Sequence, residues 1–149
     1  MIRFVYCCVA LSLGSAFVPQ GMAAPVDRCP SLPANSDLAW QLSEGPDFSV
    51  CYATSAKRPT SGTIGVYLGF HPNFEPKEGQ ALRSGTIENT PVTWYRKQPA
   101  SPAFTVGAET IHSLNPHVAH IWVLAPSQQE LVKLMETAEQ LRFSKPRDP

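Results

Sequence analysis

The residue types that could do chemistry in this chain are few, and the histidines come first. His117 and His120 form a His-x-x-His pair, with His112 just upstream and His71 far from both. On a helix, that spacing sets two imidazoles on one face, where they can hold a metal. Here the surrounding residues Val118–Leu124 (VAHIWVL) read as a strand, which points positions three apart to opposite faces. His120 is then expected to pack on the sheet beside Trp122, with His117 at the loop and His112 solvated in a turn before Ser113, Asn115 and Pro116. There is no His-Glu-x-x-His, no calcium loop and no glycine-rich phosphate cradle. The strained Gly-x-Ser-x-Gly elbow of a serine hydrolase is missing too. The carboxylates Glu44, Asp47, Glu75 and Glu78 fall in turns and loops as ordinary solvated charges. These patterns assign no catalytic residue, no metal ligand and no cofactor.

The cysteines carry a clearer message once the N-terminus is read. Arg3 precedes an uncharged apolar run from Phe4 to Phe17, and Gly21 and Ala23 supply small residues before a cut at Ala24. That is the three-part layout of a secretory signal peptide over residues 1–23. An uncleaved anchor is the alternative, but Gly14, Pro19, Gln20 and Gly21 interrupt the stretch short of a membrane span. Cleavage discards Cys7 and Cys8 and leaves Cys29 and Cys51. Two cysteines in an exported chain, with no Cys-x-x-Cys, predict one disulfide. No Asn-x-Ser/Thr acceptor is usable, which favours a bacterial periplasm over a eukaryotic secretory route.

Composition sets the outer limits. The 149 residues carry 12 Lys+Arg against 12 Asp+Glu, which excludes a nucleic-acid binder working through bulk attraction. With 43% apolar residues a disordered polyelectrolyte is excluded, and 15 prolines exclude a helical bundle.

The elements that must position any site follow from periodicity. Residues 24–36 are an extended lead-in pinned by Cys29, and residues 37–143 a single α+β domain. Leu38, Trp40 and Leu42, then Phe48, Val50 and Tyr52, alternate on either side of a Gly45-Pro46 turn and predict a hairpin. Cys51 falls on the opposite face from Phe48, Val50 and Tyr52. Residues 64–70 (IGVYLGF) predict a strand whose Gly65 and Gly69 invite another backbone or a bulge. His71–Ser84 reads as a 14-residue loop. Residues 86–87 and 92–96 predict a short hairpin with Trp94 inward and Tyr95 outward, and residues 104–111 and 118–124 two more strands, the latter central. Ser127 and Glu130 form a capping box ahead of Leu131, Leu134, Met135, Ala138 and Leu141, which predict a helix over about residues 127–142. Residues 144–149 are expected to form a disordered tail. The expected architecture is a mostly antiparallel, twisted sheet of six or seven strands packed on one C-terminal helix.

The strand-rich order with a closing helix resembles the small exported domains of PsbP-like architecture, a resemblance of element order. Ser61-Gly62 followed by Tyr67 resembles the Ser-Gly-x-x-Tyr loop of periplasmic lysozyme inhibitors, with four intervening residues where that family has two. No residue role is carried over across that difference.

The expected function is therefore an exported, periplasmic binding or interaction domain without catalytic machinery, of inhibitor or immunity type. Its partner is expected to be another protein or a small ligand, with no nucleic acid bound and no membrane span after cleavage. The candidate binding residues are His71, Asn73 and Phe74 on the long loop, and Tyr95. Phe74 has a second reading, as a cap folded back over the sheet. The alternative function is a small hydrolase or ligand carrier with a histidine-containing cavity on the sheet face.

Overall fold

The computed structural model describes residues 29–143, so the expected signal peptide (1–23), the start of the lead-in and the tail (144–149) lie outside the described residues. Seven strands form one antiparallel sheet: β1 (Leu38–Glu44), β2 (Ser49–Ser55), β3 (Thr63–Gly69), β4 (Ala81–Ile87), β5 (Thr90–Arg96), β6 (Val106–Ser113) and β7 (Val118–Ala125). Their spatial order is β1-β2-β3-β7-β6-β5-β4, which puts the doubly apolar β7 at the centre, as its sequence predicts. One helix, α1 (Gln128–Glu139), closes the chain and packs on β7, β6, β4 and β3. This is the expected α+β arrangement, with seven strands.

Period-2 alternation decides what each strand gives the core. Cys51, Ala53, Ile64, Val66, Ala108, Ile121, Val123 and Trp94 face α1 and are buried against Leu131, Leu134, Met135 and Ala138. Burying each of the large helix side chains contributes about 1.5–3 kcal/mol. Ser127 caps α1 by accepting the Glu130 N–H at 3.3 Å, while the Glu130 carboxylate takes Lys133 Nζ at 3.1 Å. The helix stops at Glu139, short of the expected 142, and Leu141 and Phe143 reach the core from the chain that follows it.

The lead-in is tied down at two points. Cys29 and Cys51 form a disulfide with both residues buried, joining the lead-in to the covered face of β2. Two residues on, Ser31 and Arg142 exchange backbone hydrogen bonds of 2.8 and 3.2 Å, so this segment also holds the chain beyond α1.

Two further features differ from expectation. β4 begins at Ala81, well inside the stretch read as a loop, after a single 3-10 turn at Glu78–Gln80. The alternation there is hidden because the covered positions are Arg83, Gly85 and Ile87, and a register shift lies between Ala81 and Arg83. Arg83 can occupy a covered position because its Nη2 lies 2.8 Å from Glu139 Oε1, the oxygen that also accepts Trp94 Nε1–H at 2.8 Å. The β4–β5 turn is also tighter than expected, with Glu88 and Asn89 alone at positive φ (47° and 65°), the primed geometry that fits strand twist.

Candidate functional site

Because α1 covers one face of the sheet, whatever side chains the strands turn the other way form a second surface. That open face is aromatic. Tyr52 of β2 meets Trp122 of β7 edge-on at 5.7 Å between ring centroids, and Trp122 lies 5.3 Å from His120. Phe74 stacks on His120 at 5.0 Å and 12°, then meets Tyr95 of β5 at 5.8 Å. Five rings thus run in an unbroken row from β2 to β5. Beside it, Phe48 stacks on Tyr67 of β3 at 5.6 Å.

The glycines of β3 explain how the row crosses that strand. A Cβ at Gly65 would lie 2.0 Å from Trp122 Cε2, so the indole fills the space a side chain there would take. A Cβ at Gly69 would lie 2.5 Å from the Tyr67 hydroxyl. The close approach expected at these glycines therefore comes from aromatic rings, and not from another backbone or a bulge. The indole thus lies over Gly65, and the Tyr67 ring, its hydroxyl over Gly69, carries Phe48 stacked on it at 26°.

Below Phe74 the face holds its charges. Glu109 of β6 is buried, and its Oε2 accepts Lys97 Nζ at 2.7 Å and bonds His120 Nε2 at 3.0 Å. Burial works to raise the Glu109 carboxyl, but the hydrogen bonds from His120 and Lys97 and the Lys97 charge outweigh it, holding the group below its usual range. Glu109 faces Trp122 across the β6–β7 ladder and Tyr95 across the β5–β6 ladder, so three strands fix its position.

Of the candidate binding residues, Phe74 and Tyr95 are brought together, and Phe74 folds back over the sheet. His71 and Asn73 remain exposed at the margin, the His71 N–H donating to the Tyr67 hydroxyl at 3.2 Å. His71 and His117 flank Phe70, at 6.5 and 4.3 Å between rings. His120 packs beside Trp122 as its strand position requires. His112 differs from expectation: β6 runs on to Ser113, so His112 lies within the ladder, buried on the covered face. Its Nε2 is 3.6 Å from Glu88 Oε2, its ring is 5.3 Å from Phe143, and its buried Nδ1 has no hydrogen-bond partner. The four histidines therefore do not converge on one cavity: His120 has Glu109 and His112 has Glu88, on opposite faces.

The sequence reading missed Glu109, Lys97 and Glu88. Glu109 had a usable signal, an acid between Ala108 and Thr110 in a strand, which must find a partner if that strand is buried. Lys97 and Glu88 gave none, since their roles depend on which strands pair.

A cleft of about 190 Å³ lies on the far side, lined by Ser36, Asp37, Arg58, Glu130, Lys133 and Gln140 among others. Its charges are paired: Arg58 with Asp37 at 3.2 Å and Lys133 with Glu130 at 3.1 Å. The Arg58 guanidinium and the Ser55 hydroxyl hold the Asp37 carboxyl below its usual range. Among the described residues no three His, Cys, Asp or Glu side chains gather as a metal site, and no helix is long and apolar enough to cross a membrane.

The chain matches no protein-family model, no curated protein and no solved structure. Its function is therefore argued from its own residues.

Proposed function

We propose that this protein is an exported, periplasmic binding domain that engages its partner with the open face of its sheet. The observation that carries this reading is the unbroken row Tyr52–Trp122–His120–Phe74–Tyr95 on the face that α1 leaves uncovered. Tyr52 is exposed and Trp122, Phe74 and Tyr95 are half-buried on a rigid sheet, aromatic surface that supplies contact area at low entropic cost and so suits recognition. The Cys29–Cys51 disulfide supports an oxidising compartment, and the leader over residues 1–23 supports export. Phe74 and Tyr95 contribute directly to the face; His71 and Asn73 stand at its rim. The hydrolase or carrier alternative has less support, because Phe74 lies over the one histidine–carboxylate pair on this face.

The test is position-specific photo-crosslinking in cells expressing the full chain. A photoreactive residue replacing Tyr52 should give an adduct, and the same residue replacing Glu136 on α1 should give none. Equal adducts from both positions, or none from Tyr52, would remove the reading. Export is checked by intact mass without reduction: a periplasmic product beginning at Ala24 and lacking two hydrogens is expected.

A further inference from the structure

The chain that leaves α1 is held from two sides, on the covered face of the sheet. Leu141 stays with the helix end, its side chain buried and its N–H donating to the Ala138 carbonyl at 3.2 Å. The next two residues reach different parts of the molecule. Arg142 exchanges backbone hydrogen bonds with Ser31 of the lead-in, which the Cys29–Cys51 disulfide pins to β2. Phe143 donates its N–H to Glu88 Oε1 at 2.9 Å and sets its ring 5.3 Å from the His112 imidazole. Arg142 and Phe143 thus form a strap from the lead-in to the β4–β5 turn, closed beside His112.

His112 is poorly placed to carry a charge there. Its Nδ1 is buried without a hydrogen-bond partner, and its Nε2 is 3.6 Å from Glu88 Oε2, too far for a hydrogen bond. An imidazolium has an N–H on both nitrogens, and burying it unpaired costs far more than burying the neutral ring. Among the described residues, Glu88 is the one charged group that acts on it. β7 sets Ala119 opposite it, Glu139 of α1 is taken up by Arg83 and Trp94, and Arg142 is exposed. Burial already holds the His112 pKa below its usual value, against the pull of Glu88. A proton on His112 can be met in two ways, and both undo the strap. Glu88 can close on Nε2, which draws the same carboxylate off the Phe143 N–H. Water can reach the ring, and Phe143 is the part of its cover that belongs to neither strand nor helix. We propose that Arg142 and Phe143 form an acid-released strap, closed beside neutral His112 and opened when that imidazole takes up a proton. The helix and the disulfide stay in place, so opening frees the Ser31–Arg142 pairing without unfolding the domain. The device lies on the covered face and does not depend on what the open face binds.

Amide hydrogen exchange of the full-length exported protein tests this, read as protection factors so that the intrinsic effect of pH drops out. Between about pH 7.5 and about pH 5.5 the Ser31, Arg142 and Phe143 amides should each lose about tenfold in protection. An opened histidine titrates at about 6.5, so proton uptake raises the open fraction by about that factor. The Leu134 and Met135 amides within α1 should keep their protection. His112→Leu removes the titrating group, and its three strap amides should be equally protected at both pH values. Glu88→Gln keeps an oxygen for the Phe143 N–H but supplies no countercharge, so the acid loss should be at least as large as in the parent. Unchanged protection of the parental strap overturns the proposal, and so does an equal loss throughout α1, which is global destabilisation. A loss that persists in His112→Leu means that another group titrates. If that variant does not fold, Glu88→Gln decides alone: disappearance of the acid loss there would assign the titration to the carboxylate and overturn the role of His112.

Discussion

Gly65 of β3 lies directly opposite Trp122 of β7, and the indole occupies the volume that any side chain at position 65 would need. The absence of one Cβ thus decides whether the central ring of the open face lies flat or stands away from the sheet.

Gly65→Val should consequently lift the indole. A Cβ 2.0 Å from Trp122 Cε2 cannot be accommodated without displacing the ring, which is tied to Tyr52 and His120 on either side. The expected cost is about 1–3 kcal/mol in urea unfolding, typical of overpacking. Trp122 emission should shift to the red as the ring enters water, while Trp40 and Trp94, both on the covered face, report no change. Parental stability and emission in this variant would show that the ring does not depend on the glycine.

The disulfide should matter through the unfolded chain. Cys29 and Cys51 are 22 residues apart, and closing a loop of that size contributes about 3 kcal/mol in the chain-entropy account. Cys29→Ser with Cys51→Ser should lose about that much in equilibrium unfolding and loosen the Ser31–Arg142 pairing, which sits two residues from Cys29. Hydrogen exchange at the Ser31 and Arg142 amides measures the second effect. Unaltered protection at both would mean that the lead-in is held without the disulfide.

The fold was legible wherever a strand shows one face to water and one to the core. Trp40 and Leu42, Cys51 against Tyr52, and Trp94 against Tyr95 all follow from alternation alone, and β7 announces its central place by being apolar on both faces. β4 was hidden because its covered face carries Arg83 and Gly85, residues explained only by Glu139 on the distant helix. The site was half legible for a related reason. Phe74 and Tyr95 stand out as aromatics in polar surroundings, but Glu109, Lys97 and His120 meet only when β5, β6 and β7 are side by side. Nothing in the spacing of residues 97, 109 and 120 encodes that order.

Glu109 should make the protein acid-sensitive. Its native pKa lies below that of an unfolded glutamate, about 4.3, so as pH falls the unfolded chain binds the proton first. Its contribution is fully present above about pH 4.3 and is lost as pH falls through the native value. Glu109→Gln should flatten that acid limb of the stability–pH curve. At neutral pH it should cost about 1–3 kcal/mol, the worth of hydrogen bonds to a charged group, because Lys97 loses its partner. A variant with the parental acid limb would place the sensitivity elsewhere.

His112 should act in a different pH window. Burial pushes its pKa below the usual value, and the pull of Glu88 in the other direction does not restore it. The native imidazole therefore stays neutral while the unfolded one, titrating near 6.5, takes up a proton. More protons on the unfolded state mean that stability falls as pH drops below about 6.5, until the native group also protonates. His112→Leu keeps most of the volume and removes the titration, so at neutral pH it should cost less than about 1.5 kcal/mol. Because His71, His117 and His120 remain in both proteins, the informative quantity is the difference between the two stability curves from pH 8 downward. That difference should move in favour of the variant as the solution becomes more acidic. Movement the other way would mean that protonated His112 gains more from Glu88, 3.6 Å away at the β4–β5 turn, than burial takes from it.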